Sequence, residues 1–260
     1  MLRDYQRRAI DQLYDWLGNN SGNPCLVLPT GAGKSHIVAA LCKEIVQGYS
    51  DTRILMLSHQ KELIGQNAEK MRLHWPNAPM GIYSAGMNKR QIDTITFASI
   101  QSVAKRAASL GSRDVVIIDE CHMMNNKESG NYRTLLAQLM AINPALRVIG
   151  LTATPYRLGQ GKLTDGDTAI FADLVEPVTV KELVERGFLA PLKSKHTTAM
   201  IDTSQVKKRG GEYIADQLQG AADAITAEAI SEIIDRAEDR RHWLLFCSGV
   251  AHAQHCADEL

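Results

Sequence analysis

Two short runs, Cys25-Leu26-Val27-Leu28 and Val115-Val116-Ile117-Ile118, carry an apolar side chain at every position. A strand tolerates such a run when both of its faces are covered, which is the condition of a central strand in a parallel sheet with helices above and below. The neighbouring sequence fits that setting. Strand-like residues 25–28, 53–57, 92–97, 115–118 and 147–151 alternate with helical stretches that open at Lys34, Gln60 and near Gln101 and that cover 132–140. Alternation of this kind predicts an α/β fold with a parallel sheet flanked by helices. Ahead of it, Leu2, Tyr5, Ile10, Leu13, Tyr14 and Leu17 recur near helical spacing and stop at Gly18-Asn19-Asn20-Ser21-Gly22, which predicts an amphipathic helix and a turn.

A length of 260 residues allows one large domain or two ordinary ones, at about 100 to 200 residues each. From Pro155 the texture changes to Gly159, Gly161, Gly166 and several aspartates, residues 178–186 look helical, and Gly187-Phe188-Leu189-Ala190-Pro191 breaks them. We therefore divide the chain into 1–190 and 191–260. The second part is expected to hold a helix over 221–237, a strand over 243–247 and a final helix; it is short for an α/β domain, and the native polypeptide is expected to continue past Leu260. Basic and acidic side chains number 29 each, 45% of residues are apolar, and there are five cysteines. Disorder, collagen and a disulfide-framed miniature are excluded on that composition. The longest apolar run, Ile37-Val38-Ala39-Ala40-Leu41-Cys42, is far below the ~20 residues of a bilayer-crossing helix, so no membrane association is expected. The start mixes charges and shows no export signal, which points to a cytoplasmic, reducing compartment with free thiols. A formal charge of zero offers phosphate polymers no broad attraction, so any nucleic-acid contact must rest on local groups.

The segment Leu28-Pro29-Thr30-Gly31-Ala32-Gly33-Lys34-Ser35 follows one of the apolar strands and opens a helix. Glycines there let backbone N–H groups turn inward around phosphate oxygens, the helix N-terminus adds a favourable dipole, Lys34 supplies a cation and Ser35 a hydroxyl for Mg²⁺. The strict pattern wants glycine where Leu28 stands, but the core from Gly31 to Ser35 is intact. The second apolar strand ends in Asp119-Glu120-Cys121-His122. Ligands of a parallel sheet gather at the carboxyl ends of its strands, so these acids are expected at the edge from which Lys34 emerges. Asp119 can then hold Mg²⁺ through its water shell, and Glu120 can orient an attacking water.

With these segments in place, the chain resembles superfamily 2 helicases and translocases. Pro29 to Ser35 is similar to motif I, Asp119-Glu120-Cys121-His122 to motif II in its DECH form, and Leu151-Thr152-Ala153-Thr154-Pro155 to motif III. Leu2-Arg3-Asp4-Tyr5-Gln6 resembles the upstream glutamine motif, Leu57-Ser58-His59-Gln60-Lys61-Glu62-Leu63-Ile64-Gly65-Gln66-Asn67 resembles motif Ia, and Phe97-Ala98-Ser99-Ile100-Gln101-Ser102-Val103 resembles motif Ib. The resemblance implies a RecA-like ATP-binding domain followed by an incomplete second RecA-like domain, with ATP and Mg²⁺ as ligands. It implies that Gln6 reads the adenine, that Pro29, Thr30, Gly31, Ala32, Gly33, Lys34 and Ser35 hold phosphates, that Ser35 and Asp119 place the metal, and that Lys34, Asp119 and Glu120 carry the catalysis. DNA, single-stranded or branched, is the implied partner, with RNA left open, in a repair or recombination setting with repair proteins as further partners. Ser58 and Ser99 would otherwise be ordinary helix caps.

Segments like motifs V and VI, with their γ-phosphate arginine, have no match in these residues. An arginine finger is worth about 10³ to 10⁵ in rate in phosphoryl-transfer machines, so slow hydrolysis by this stretch alone is expected. A rival is a module that binds ATP and DNA without a motor cycle; another is a metabolite kinase, which has no use for the tandem acids together with Thr152-Ala153-Thr154. His252, His255 and Cys256, with Cys247 nearby, admit a zinc reading because His252 and Cys256 stand four apart on one helix; a surface helix following a core strand also accounts for them. Lys207-Lys208-Arg209-Gly210-Gly211 reads as a solvated basic turn.

Overall fold

The computed structural model describes residues 2–124, 130–157, 161–192, 197–209, 212–237 and 240–260; Gly159, Gly210 and Gly211 lie outside them. The chain divides into two compact units, Met1–Pro191 and Leu192–Leu260.

The first unit is built on one sheet. Its strands are β1 (Pro24–Val27), β2 (Ile54–Ser58), β3 (Met80–Ser84), β4 (Lys89–Arg90), β5 (Ile95–Ser99), β6 (Val115–Ile118), β7 (Arg147–Thr152) and, after the small hairpin of β8 (Tyr156–Arg157) and β9 (Gly161–Lys162), β10 (Asp173–Val175). Spatial order is β10-β1-β7-β6-β2-β5-β3-β4. Pairing is parallel throughout except between β3 and β4. The wholly apolar runs sit in the middle, as double-sided cover requires. Leu26, Ile117 and Ile149 point to the face packed by α1 (Asp4–Asn19), α2 (Lys34–Gly48) and α3 (Lys61–His74), where they meet Tyr5, Ile10, Leu41 and Ile64. Cys25, Val116, Ile118 and Val148 point to the other face, against α4 (Ile100–Val103), α5 (Ala107–Leu110) and α6 (Asn131–Ile142), where they meet Val103, Leu110 and Leu135. Burying each such aliphatic side chain contributes about 1.5–3 kcal/mol, so both faces hold the sheet.

Register fixes where the loops emerge. Val27 pairs with Thr152, Gly150 with Ile118, Ile118 with Leu57, and Ser58 with Ser99. The carboxyl ends of β1, β7, β6, β2 and β5 therefore share one edge, and each leads into a segment singled out in the sequence.

Three expectations shift. The strand expected over 92–97 is β5, displaced toward Ser99, because the chain first returns along β3 as β4. That return is close: a Cβ on Gly81 would stand 2.5 Å from the Gln91 carbonyl oxygen, so only glycine leaves room. In the second unit the helix expected over 221–237 is two helices, α8 (Ala215–Asp223) and α9 (Thr226–Arg236). The Thr226 hydroxyl donates to the Ala222 carbonyl at 3.1 Å, the local side-chain bond that competes with a continuous helix. Residues 243–247 form no strand: Leu244 and Phe246 are exposed, and the described strands of this unit are only the hairpin β11 (Lys208–Arg209) and β12 (Glu212–Tyr213). Apolar composition marks a candidate strand but does not supply the neighbour that takes its hydrogen bonds. Elsewhere, α7 (Val180–Glu185) closes the first unit and α10 (Val250–Glu259) the second. Among the described residues no helix is long and apolar enough to cross a membrane.

Candidate functional site

The loop after β1 is anchored where the sheet ends, the Leu28 N–H donating to the Thr152 carbonyl at 2.9 Å. Gly31 and Gly33 both take positive φ, +83° and +82°, a conformation that glycine adopts at no steric cost. Gly33 is also the N-cap of α2 and brings no capping side chain, so the first turn of that helix presents its N–H groups and positive dipole end to the loop. Lys34 and Ser35 are its first two residues. Pro29 and Ala32 are buried, while Thr30 and Gly31 face solvent.

Across the edge, Lys34 Nζ lies 3.1 Å from Glu120 Oε1. Glu120 Oε2 lies 3.3 Å from His122 Nδ1, and that same nitrogen is 2.9 Å from Thr152 Oγ1. Thr152 Oγ1 in turn accepts the Thr154 N–H at 3.0 Å. An unbroken chain of contacts thus joins the ends of β1, β6 and β7. Glu120 holds φ +47°, a left-handed backbone that is uncommon for a residue with a side chain and that recurs at functional sites.

Asp119 sits one step deeper and is only 6% exposed. Burial pushes its carboxyl above the ordinary aspartate range; the Asn67 donor pulls it back, and the Lys34 charge helps. Asn67 Nδ2 donates to Asp119 Oδ2 at 2.9 Å, and Asp119 Oδ1 accepts the Glu120 N–H at 3.0 Å. A buried, oxygen-only donor with a raised proton affinity gains from a hard divalent cation, and Lys34 opposite an acid gains from an incoming phosphate. The residues present fit a magnesium triphosphate.

Gln6 lies behind the loop rather than at the acidic edge. Its Nε2 donates to the Ala32 carbonyl at 3.0 Å and its Oε1 accepts the Arg3 N–H at 2.9 Å, so the amide ties α1 to the loop. Beside it Arg3 stacks on Phe188, 4.6 Å from the ring centroid, and Tyr5 meets the same ring at 5.2 Å. Asn67, His122 and Phe188 were not among the sequence-predicted site residues. Asn67 had a signal, its place in the Ia-like segment, but nothing along the chain shows that it faces Asp119.

A second feature opens beside this edge. A cleft of about 420 Å³ is lined by Tyr83, Arg90, Gln101, Ser102, Lys105 and Arg106. Gln101 Nε2 donates to the His59 carbonyl at 3.1 Å, and Ser99 Oγ donates to Ser102 Oγ at 2.7 Å, leaving Ser102 Oγ to accept the Ala85 N–H at 2.9 Å. The Ia-like and Ib-like segments are thereby joined, with three cations gathered locally on a chain of zero formal charge.

The parallel sheet, the glycine loop and the tandem acids have the form of a nucleotide-binding α/β domain, and the family match gives the class, a helicase-family domain of superfamily 2. Residues 1–157 match the family described as type III restriction enzyme, res subunit. The chain belongs to that family. It is 25% identical over 280 residues to the type I restriction enzyme EcoAI endonuclease subunit of Escherichia coli, covering 97% of this chain and 33% of that protein. It is also 25% identical over 274 residues to IRC3 of Saccharomyces cerevisiae, whose designation as an ATP-dependent helicase is itself an inference, covering 98% of this chain and 38% of that protein. The crystal structure of the UvsW helicase from bacteriophage T4 superimposes with a TM-score of 0.54 at 21% identity, covering 68% of this chain and 60% of that one, a likeness of fold. The chain spans about a third of the length of the curated relatives it matches.

Proposed function

We propose that this chain belongs to an ATP-dependent helicase or translocase that acts on nucleic acid, DNA first, and that its first unit is the ATP-hydrolysing domain. The observation that carries this reading is the contact chain from Lys34 through Glu120 and His122 to Thr152, since it ties the phosphate-binding loop to the segment that the family uses for coupling.

In this reading Gly31, Gly33 and the first turn of α2 bind the phosphates, and the Lys34 ammonium leaves Glu120 for the terminal phosphate. Ser35 and Asp119 would hold Mg²⁺, which when bound neutralises charge on the transferring group. Glu120, released from Lys34, accepts a proton from the attacking water while His122 and Thr152 keep its carboxylate aimed. Gln6, with Arg3 and Phe188 beside it, receives the base; its amide keeps one N–H and one lone pair beyond those held by Ala32 and Arg3. The Arg90, Lys105 and Arg106 cleft takes the phosphate backbone, helped by hydroxyls and amides at the ends of β2 and β5.

Residues 191–260 are read as the beginning of a second RecA-like domain. Phrasing such as Leu-Pro-Thr-Gly-Ala-Gly-Lys-Ser in 28–35 and Glu-Leu-Val-Glu-Arg-Gly-Phe-Leu in 182–189 resembles the bacterial DNA-repair protein RadD. That resemblance supports a role in repair or recombination beside other repair proteins; the cytoplasmic setting rests on the charged start of the sequence.

The test compares ATP hydrolysis with and without single-stranded DNA by the full-length native protein, since this stretch spans about a third of its curated relatives and slow turnover is expected of it alone. Stimulated turnover that is abolished in Lys34→Ala, and lost in Glu120→Gln with ATP binding retained, is the expected result. Unchanged turnover in either variant removes the assignment. Nucleotide binding with near-zero, unstimulated hydrolysis gives the non-motor module instead.

A further inference from the structure

We infer that the second unit carries a soft-metal site of the zinc class, formed by Cys247, His252 and Cys256. One ligand atom from each of these residues lies within 4.8 Å of the other two. The Cys247 and Cys256 sulfurs are 3.8 Å apart. Two thiolates bound to a tetrahedral zinc, each ~2.3 Å from the metal, are separated by about 3.8 Å. The sulfurs therefore already span one edge of the coordination tetrahedron.

The histidine is oriented for the same task. His252 and Cys256 stand one helical turn apart on α10 and share a face. His252 Nδ1 meets both the Ser248 hydroxyl, at 2.9 Å, and the Ser248 N–H, at 3.2 Å; the N–H donates to it, so that nitrogen bears the lone pair and Nε2 bears the proton. Nε2 faces Thr226 Oγ1 at 3.3 Å, and this hydroxyl spends its own proton on the Ala222 carbonyl. A ring held at its far nitrogen in this way is the usual support of a metal-bound imidazole. On binding, the Nδ1 lone pair passes from Ser248 to the metal, each thiol releases its proton to solvent, and Nε2–H keeps Thr226.

Two thiolates and an imidazole select zinc over the hard magnesium of the nucleotide site. Three protein ligands leave the fourth tetrahedral position to water. His255 stays outside the set, with Nδ1 on Asp223 at 3.2 Å and Nε2 on Glu259 at 3.7 Å. A core strand that would bury Cys247 is not formed, and Cys247 and His252 remain partly exposed while Cys256 is buried. The cluster is thus reachable from solvent, whereas Cys25, Cys42 and Cys121 are buried in the first unit.

The test is a cobalt(II) titration of the full chain, reduced and stripped with a chelator, followed by zinc. One equivalent of cobalt should give a thiolate-to-metal charge-transfer absorption with the visible bands of a tetrahedral ion, and zinc should displace both. Cys247→Ser and Cys256→Ser should abolish the charge-transfer band. His252→Gln should weaken binding about 10- to 100-fold, and Cys42→Ala should leave it intact. The proposal fails if the wild-type chain shows no such band, an outcome independent of how the variants fold, or if the band persists unchanged in a Cys247→Ser chain whose circular dichroism is native.

Discussion

Removing the Asn67 carboxamide isolates one contact of the proposed nucleotide site without touching any group proposed to meet the nucleotide. In Asn67→Ala the helix α3 keeps a good helix former, and Asp119 loses its donor at 2.9 Å while Oδ1 keeps the Glu120 N–H at 3.0 Å. A hydrogen bond to a charged acceptor contributes about 1.5–3 kcal/mol, and both partners here are almost fully buried. At about 1.4 kcal/mol per tenfold, the carboxylate form becomes roughly 10- to 100-fold harder to maintain in place. In the proposed reading Mg²⁺ binds that form.

The sign follows from the cause of the perturbation. Burial already raises the Asp119 proton affinity, and Asn67 is the largest opposing influence. Its loss raises the affinity further, so protons compete with Mg²⁺ up to a higher pH. The assay is binding of a fluorescent ATP analogue during Mg²⁺ titrations at several pH values. In Asn67→Ala the Mg²⁺ needed for half-saturation should rise about 10- to 100-fold, and the acid limb of the pH dependence should move to higher pH. Binding in excess chelator should be unchanged. Coincident Mg²⁺ curves and acid limbs for the two proteins would refute the reasoning, because they would show that the Asn67 bond does not act on the metal-binding form of Asp119.

Two further outcomes concern stability. Arg113 is fully buried and has no carboxylate partner among the described residues; it donates to the Leu110 carbonyl at 2.9 and 3.2 Å and to the Asp93 carbonyl at 3.0 Å, and burial lowers its pKa to about 10. Arg113→Met fills the space but leaves those acceptors unpaired, at about 1–3 kcal/mol each, which a urea midpoint unchanged at constant slope would contradict. His36 Nδ1 and His74 Nε2 stand 2.7 Å apart, and burial, with nearby cations, lowers the pKa of both rings. A lowered folded pKa means that the unfolded chain takes up protons first, so the stability is present above the ordinary histidine pKa and is lost as pH falls through it. His36→Gln should flatten the decline in Tm between about pH 7 and pH 5; an equally steep decline in the variant would show that the pair is not its source.

How much of this was written in the order of residues depends on whether a feature is local or shared. Val115-Val116-Ile117-Ile118 announces a buried central strand because covering both faces leaves no polar position, and Asp119-Glu120 then falls at its carboxyl end by chain continuity alone. Gly31 and Gly33 announce a loop of unusual backbone for an equally local reason, and both strands belong to one parallel sheet, so the meeting of Lys34 with Glu120 follows from topology. The Asn67 bond to Asp119 does not: it depends on how α3 rotates over β2 and β6, which periodicity leaves open by a residue or more. The strand expected at 243–247 marks the same limit from the other side. Trp243-Leu244-Leu245-Phe246-Cys247 has the composition of a strand, yet a strand is a relation between two segments, and the described residues of the second unit offer it no partner. With no ladder to hold it, Cys247 is oriented instead by what α10 places beside it, and the cysteine and histidine for which the sequence left both a zinc reading and a plain surface helix open are the groups it meets there.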